Sequence, residues 1–215
     1  MKFVMSYSGG KDSTLALDKM LSEGHEAVML LVVVNRENER SFFHGADLNF
    51  LEKISNAIGI PLVVCPSNGE DYHLRFEDGL KKAKELGAEA CVFGDIDIQS
   101  NRKWGEDRCT NCGMEAIYPL WQRNREENTE EVISKGYKCI IKTVDTEKLP
   151  KELLGRFLDK KTVEIMKKHK VDICGENGEY HTVIIGGPIF SKDVDYSLGE
   201  ILDFGHYSVI DIKAL

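Results

Sequence analysis

Six consecutive residues, Ser8-Gly9-Gly10-Lys11-Asp12-Ser13, hold the donors that a phosphate chain needs. They follow the apolar run Phe3-Val4-Met5 and precede a segment in which Ala16, Leu17, Met20 and Leu21 share one helical face. The stretch is therefore read as the turn from a strand into a helix N-terminus. Unpaired backbone N–H groups and the positive end of the helix dipole point outward there, and both favour an anion. Gly9 and Gly10 lack the Cβ that would keep oxygens away. Lys11 adds a full positive charge, and the hydroxyls of Ser8 and Ser13 can donate. A Walker A loop is excluded, because the glycines are adjacent and Asp12 follows the lysine. A dinucleotide fingerprint is excluded for want of a third glycine at the required offset.

Two other places carry polar groups in useful patterns. In Cys174-Gly175-Glu176-Asn177-Gly178-Glu179-Tyr180-His181-Thr182, two carboxylates, an amide and an imidazole sit among backbone-permissive glycines. That composition suits ligand contact, and Asn-Gly suits an ordinary tight turn equally well. Asp95 ends the run Ala90-Cys91-Val92-Phe93-Gly94, where it is either a cation ligand or part of a strand-ending turn. The polar segment from Gln99 to Arg108, with Arg102, Lys103 and Arg108, reads as an active-site loop. Cys109-Thr110-Asn111-Cys112 is a lone Cys-x-x-Cys, and a closed zinc site needs four ligands.

The elements that must position these groups alternate. Strands are expected at 1–7, 27–34, 62–65 and 90–93, and helices at 11–23, 46–58 and 70–86. Short links between them predict an α/β fold with a doubly wound parallel sheet. In the order 3-2-1-4-5, ligands bind at the carboxyl ends of strands 1 and 4, which sets Asp95 across a crevice from the Ser8–Ser13 loop. The apolar run at 137–144 is expected to complete the sheet as its fifth strand. The βα rhythm fails after Trp121, so the domains are drawn as 1–121 for nucleotide binding and 122–215 as a smaller α+β unit. A helix is expected at 109–117, another at 125–135 and another at 159–170, with closing strands from 183 onward.

The chain has 215 residues, enough for a sizeable core, and a formal net charge of −8. That charge argues against nonspecific binding of nucleic acid or an anionic membrane. No apolar run has bilayer-spanning length and no signal-peptide pattern opens the sequence, so a cytoplasmic location is expected. The six cysteines are scattered, and three lie in or beside apolar strand-like runs, where a reduced thiol behaves as a small hydrophobe.

Taken together, Tyr7–Ser13, His44-Gly45, Phe93–Ile96, Pro119-Leu120-Trp121, Leu153–Arg156 and Cys174–Thr182 resemble the diphthine–ammonia ligases within the PP-loop ATP pyrophosphatases. The phosphate loop is common to that superfamily, and the Gly-Glu-Asn-Gly-Glu-Tyr-His-Thr run is more specific. The resemblance implies an adenine nucleotide alpha hydrolase-like domain, a smaller C-terminal domain, and a site between them. It implies ATP with Mg²⁺ as cofactors, and as substrates ammonium and elongation factor 2 carrying diphthine. The diphthine carboxylate would be adenylylated, with release of pyrophosphate, and ammonia would then displace AMP. On this reading Ser8, Gly9, Gly10, Lys11 and Ser13 hold pyrophosphate, and Asp12 and Asp95 hold ATP through Mg²⁺. His44, Glu176, Asn177, Gly178, Glu179, His181 and Thr182 face the acceptor, and Glu179 or His181 takes a proton from ammonium. Arg108, from the polar loop, is added to the acceptor wall. Lys11, Asp12, Glu179 and His181 are the expected catalytic set. No membrane or nucleic-acid partner is expected, and a homodimer is as compatible as a monomer. Two other readings fit the loop: transfer to another acceptor such as tRNA, with Cys109 and Cys112 carrying sulfur or metal, and a nucleotide-binding regulatory module without turnover.

Overall fold

The computed structural model describes residues 1–42 and 45–215. Its first part alternates strand and helix: β1 (Lys2–Ser6), α1 (Lys11–Ser22), β2 (Glu26–Asn35), α2 (Leu48–Ile58), β3 (Leu62–Ser67), α3 (Tyr72–Glu85), β4 (Ala90–Val92), α4 (Gln99–Cys112) and β5 (Glu115–Ile117). The five strands pair in parallel in the order β3-β2-β1-β4-β5, the expected doubly wound sheet. Its central strands are apolar along their length because helices cover both faces. Val4, Leu31, Val33 and Cys91 pack under α3 and α4, while Phe3, Met5 and Leu30 join the core on the α1 side.

The second part contains α5 (Arg125–Ser134), β6 (Lys138–Asp145), α6 (Lys160–Lys168), β7 (Tyr180–Gly186), β8 (Tyr196–Phe204) and β9 (Tyr207–Ala214). Its four strands form a separate antiparallel sheet in the order β7-β6-β9-β8. The expectation for 137–144 is corrected here. That run is β6, flanked by β7 and β9, and the three-residue β5 closes the parallel sheet. β8 forms the edge, with Leu198, Ile201, Leu202 and Phe204 exposed and a bulge between Leu198 and Ile201. The two sheets share one continuous core, in which Phe3, Met5, Leu17 and Phe50 meet Ile140, Ile141, Val183 and Ile184.

The loop expected over 99–108 is also corrected, since those residues form most of α4. The helix has almost no aliphatic stripe, so its sequence looks like a loop. Ion pairs one turn apart, Arg102–Glu106 at 2.7 Å and Lys103–Asp107 at 2.9 Å, support its outer face. Gly105 allows its inner face to lie close to the sheet, where a Cβ would meet Tyr118 Oη at 2.3 Å. The helix expected at 109–117 becomes the last turn of α4 followed by β5. Among the described residues no helix is long and apolar enough to cross a membrane.

At the carboxyl end of β4 the chain presses directly on the start of α1. A Cβ at Gly94 would lie 2.8 Å from Ser13 N and 2.9 Å from the Asp12 carbonyl carbon, and neither backbone atom can swing aside. Gly94→Ala must therefore push β4 and α1 apart. The expected cost is about 1–3 kcal/mol, seen as a fall of several degrees in the thermal midpoint; an unchanged midpoint would show that the junction yields freely.

Candidate active site

The phosphate loop has the shape its residues dictate. Gly9 adopts φ +78°, a left-handed conformation open to glycine, and Gly10 is extended at φ −95° immediately before α1. Ser8 Oγ lies 3.0 Å from Ser13 Oγ and accepts from Gly10 N at 3.3 Å. Ser13 and Thr14 hydroxyls donate to the Gly10 carbonyl, at 3.2 and 2.9 Å. Because position 94 carries no Cβ, the residue after Phe93 can lie directly against the Ser13 amide at the helix start.

The second sheet is bolted onto this loop. Ile184 N donates to the Gly9 carbonyl at 2.8 Å, and Lys11 N donates to Thr182 Oγ1 at 3.2 Å. These two bonds bring β7, and the 174–182 turn before it, over the mouth of the parallel sheet. The result is a cavity of about 620 Å³ walled by both parts of the chain. Ser8, Lys11, Asp12 and Ser13 form its floor; Gly94 and Asp95 one side; Glu176, Gly178, Tyr180, His181 and Thr182 the opposite side.

Lys11 is nearly inaccessible, at 5 % exposure. Its Nζ donates to Asp12 Oδ2 at 2.6 Å and stands 5.6 Å from the centre of the Tyr180 ring. Burial opposes its charge, but Asp12, with smaller help from Cys174 and Tyr180, holds its pKa well above the ordinary lysine value. The lysine therefore stays cationic in a dry site. Tyr180 is fixed by a bond from its hydroxyl to the Ile173 carbonyl at 2.6 Å, and Gly175 makes room for its ring.

Asp12, Cys174 and Glu176 bring a carboxylate, a thiol and a second carboxylate within 4.8 Å of one another. The Cys174 thiol donates weakly to Asp12 Oδ1 at 3.9 Å. Burial raises that thiol to about 12, so it is a neutral donor and not a thiolate ligand. Burial, reinforced by Asp12, raises Glu176 to about 7, and burial raises Asp95 in the same direction. Two carboxylates this close suit a hard divalent cation, and Lys11 engages only one oxygen of Asp12, so Asp12 and Glu176 fit Mg²⁺. Asp95 does not belong to this cluster, although Asp12 contributes to its upward shift.

The turn is held by a residue that the sequence reading passed over. Arg125 binds Asp97 through Nε and Nη2, both at 2.7 Å, and reaches Asp172 through Nη1 at 2.6 Å. Asp172 in turn accepts the Cys174 and Glu176 amides at 2.9 and 3.2 Å. One guanidinium thus ties the segment after β4 to the turn before β7. Asp97 is held below the ordinary carboxylate value mainly by its bond to Arg125.

The chain matches the family model described as diphthamide synthase N-terminal domain over residues 1–116, and the C-terminal domain model of the same name over 124–214. The chain belongs to the diphthamide synthase family. Among curated relatives, proteins named diphthine–ammonia ligase from Bos taurus and Homo sapiens are each 27 % identical over 228 residues, covering 94 % of this chain and 85 % of theirs. A solved structure titled as a predicted subunit of tRNA methyltransferase, from Methanocaldococcus jannaschii, overlaps 90 % of this chain and 100 % of its own at 14 % identity and a TM-score of 0.44.

In this member of the diphthamide synthase family, the residues expected from the sequence separate into two groups. Ser8, Lys11, Asp12, Ser13, Asp95, Glu176, Gly178, His181 and Thr182 line the cavity. Gly9, Gly10, Asn177 and Glu179 do not: the Gly9 carbonyl is taken by Ile184 N and the Gly10 amide by Ser8 Oγ. Glu179 is buried and accepts both the Asn177 amide at 3.0 Å and its side-chain Nδ2 at 3.3 Å, so it shapes the turn from within. Arg108 is also corrected: it sits on α4 paired with Glu77 at 3.0 Å, away from the cavity. Cys109 and Cys112 are buried in the core between α3 and α4 and do not line the cavity. His44 lies outside the described residues.

Folded Glu176 keeps its proton up to about 7, whereas an unfolded glutamate loses it near 4.5. The folded state thus binds more protons between these values, and stability falls as pH rises through that window. The ligand-free protein is expected to show a declining melting temperature from pH 5 to pH 7, and Glu176→Gln should flatten the decline. An identical slope in the variant would show that Glu176 is ionised throughout.

Proposed function

We propose that this chain is a diphthine–ammonia ligase, which uses ATP and ammonium to convert the diphthine carboxylate of elongation factor 2 into an amide in the cytoplasm. The observation that supports it is the joint chamber, where the Ser8–Ser13 loop and the Cys174–Thr182 turn face each other across one cavity. Family membership ties the chain to diphthamide synthesis, and the relatives carry the ligase name.

A carboxylate resists attack because its own charge repels nucleophiles and its oxygens leave poorly. Transfer of AMP removes both obstacles. A carboxylate oxygen attacks the α-phosphorus, and the bond from that phosphorus to the bridging oxygen of pyrophosphate breaks. In this reading the loop serves the departing group: Lys11, the Ser8 and Ser13 hydroxyls and the start of α1 neutralise charge as it develops. Lys11 suits this task because burial leaves it little water and few alternative positions. Mg²⁺, held by Asp12 and Glu176, would supply further charge neutralisation on the phosphates. Cys174 orients Asp12, and Tyr180 presents its ring beneath the ammonium of Lys11.

Ammonia then adds to the acyl carbon and AMP leaves, carrying the carboxylate oxygen with it. The surplus proton of the incoming ammonium passes to a group on the turn side. His181 lines the cavity and takes this role in our reading, while Glu179 supports the turn. In this reading the adenine base lies against the apolar stretch where β2 continues past the end of β1 and lines the chamber with Leu31, Val32 and Val33.

Incubation with ATP, ammonium and diphthine-bearing elongation factor 2 is expected to yield AMP, pyrophosphate and amide in equal amounts. ADP and phosphate would overturn the proposal. Lys11→Ala should slow AMP formation at least about 100-fold while leaving the far-ultraviolet circular dichroism spectrum intact.

A further inference from the structure

Beyond the phosphate loop and the acidic cluster, the same cavity has a wall that neither explains. Phe42, Tyr72, Phe76, Phe93 and Trp104 line it. Phe42 meets Tyr72 edge-on at 5.2 Å, Tyr72 lies 5.8 Å from Trp104, and Trp104 lies 5.0 Å from Phe76. These rings come from the segment after β2, the first two turns of α3, the residue after β4 and the middle of α4, and they continue the core between α3, α4 and the sheet out to the cavity. Asp95 lines the same space, and burial, with a smaller contribution from the Asp95 charge, raises the pKa of Tyr72. A set of ring faces with one carboxylate beside it is attractive to a cation, and particularly to one without N–H groups to satisfy.

We propose that this aromatic compartment binds the quaternary ammonium group of the acceptor and so selects a fully methylated substrate. The inference rests on the ligase reading, because the acceptor named there, diphthine, bears a trimethylammonium on the carbon next to its reacting carboxylate. In such a group the nitrogen and the carboxyl carbon are about 2.5 Å apart. The cation pocket must therefore open straight onto the phosphate chamber. It does so here through three successive residues: Phe93 on the aromatic side, Gly94 against the Ser13 amide, and Asp95 in the cavity between. Cation binding in the compartment would set the carboxylate over the loop, in line with the α-phosphorus. The fold already uses the same contact nearby, where the Arg102 guanidinium lies 4.7 Å from the Trp121 ring and 5.5 Å from Tyr118.

The test uses two small probes of one shape, 2-(trimethylammonio)butanoate and its neutral-headed isostere 2-tert-butylbutanoate, titrated calorimetrically into the intact protein. The cationic probe should bind at least about tenfold more tightly. Trp104→Leu and Tyr72→Leu should each reduce that preference to less than threefold, and Asp95→Asn should weaken the cationic probe alone. Equal affinities, no heat from either probe at millimolar concentration, or a preference that survives both ring substitutions would overturn the proposal. Displacement of the probe by saturating ATP would also overturn it, by assigning the rings to the base. No turnover enters this measurement, so failure of the amidation assay does not move it. Conversely, amidation with no probe preference would leave the ligase reading standing and remove this inference.

Discussion

The chamber depends on one main-chain hydrogen bond, from Ile184 N in the second sheet to the Gly9 carbonyl in the phosphate loop. A parallel sheet alone presents its helix N-terminus to open water, where charges interact weakly. Docking β7 there gives the loop a roof. It buries Lys11, sets Tyr180 under its ammonium, and brings Glu176 near Asp12. The register of that bond also fixes which face of β7 meets the loop. A one-residue slip would exchange Thr182 for a neighbour of opposite orientation and take the Lys11 amide's partner away.

This arrangement has an electrostatic cost that is met locally. Two carboxylates, Asp12 and Glu176, come together under low solvation, and Lys11 is hydrogen-bonded to Asp12 alone. Glu176 accordingly keeps its proton to near neutrality when nothing else is bound. The site is thus arranged for a positively charged occupant and shares its proton inventory with whatever arrives. Arg125 keeps the acidic turn in place from behind, with three carboxylate and amide partners drawn from both parts of the chain.

Much of this was legible in the residues. The strand–Gly-Gly–helix junction and the run from Cys174 to Thr182 are dense in chemistry-bearing types at close spacing, so both announced themselves. Other parts were not legible for physical reasons. β6 and an inner parallel strand are alike in sequence, since each is an apolar run covered on both sides, and pairing direction leaves no trace in such a run. β5 is only three residues long, with Ala116 and Ile117 as its apolar pair, and α4 packs through Trp104, Gly105 and two cysteines where a periodic aliphatic stripe would be expected. Glu179 had the type and position of a catalytic acid, but the amide two residues earlier claimed both its oxygens. Arg125 and the ring wall gave no signal, because their partners lie far off in the chain and meet only after folding.

The outer strand of the antiparallel sheet bears on behaviour in concentrated solution. β8 offers apolar side chains and an unpaired backbone edge together, the combination by which extended chains add to one another. Its bulge places one more residue in β8 than in β9 between Leu198 and Ile201, which breaks the straight row of amides, and Glu200 and Asp203 add like charge along it. A second strand laid along this edge would lose its ladder partway and meet acidic side chains, so the molecule resists polymerising into ribbons despite the greasy border it exposes.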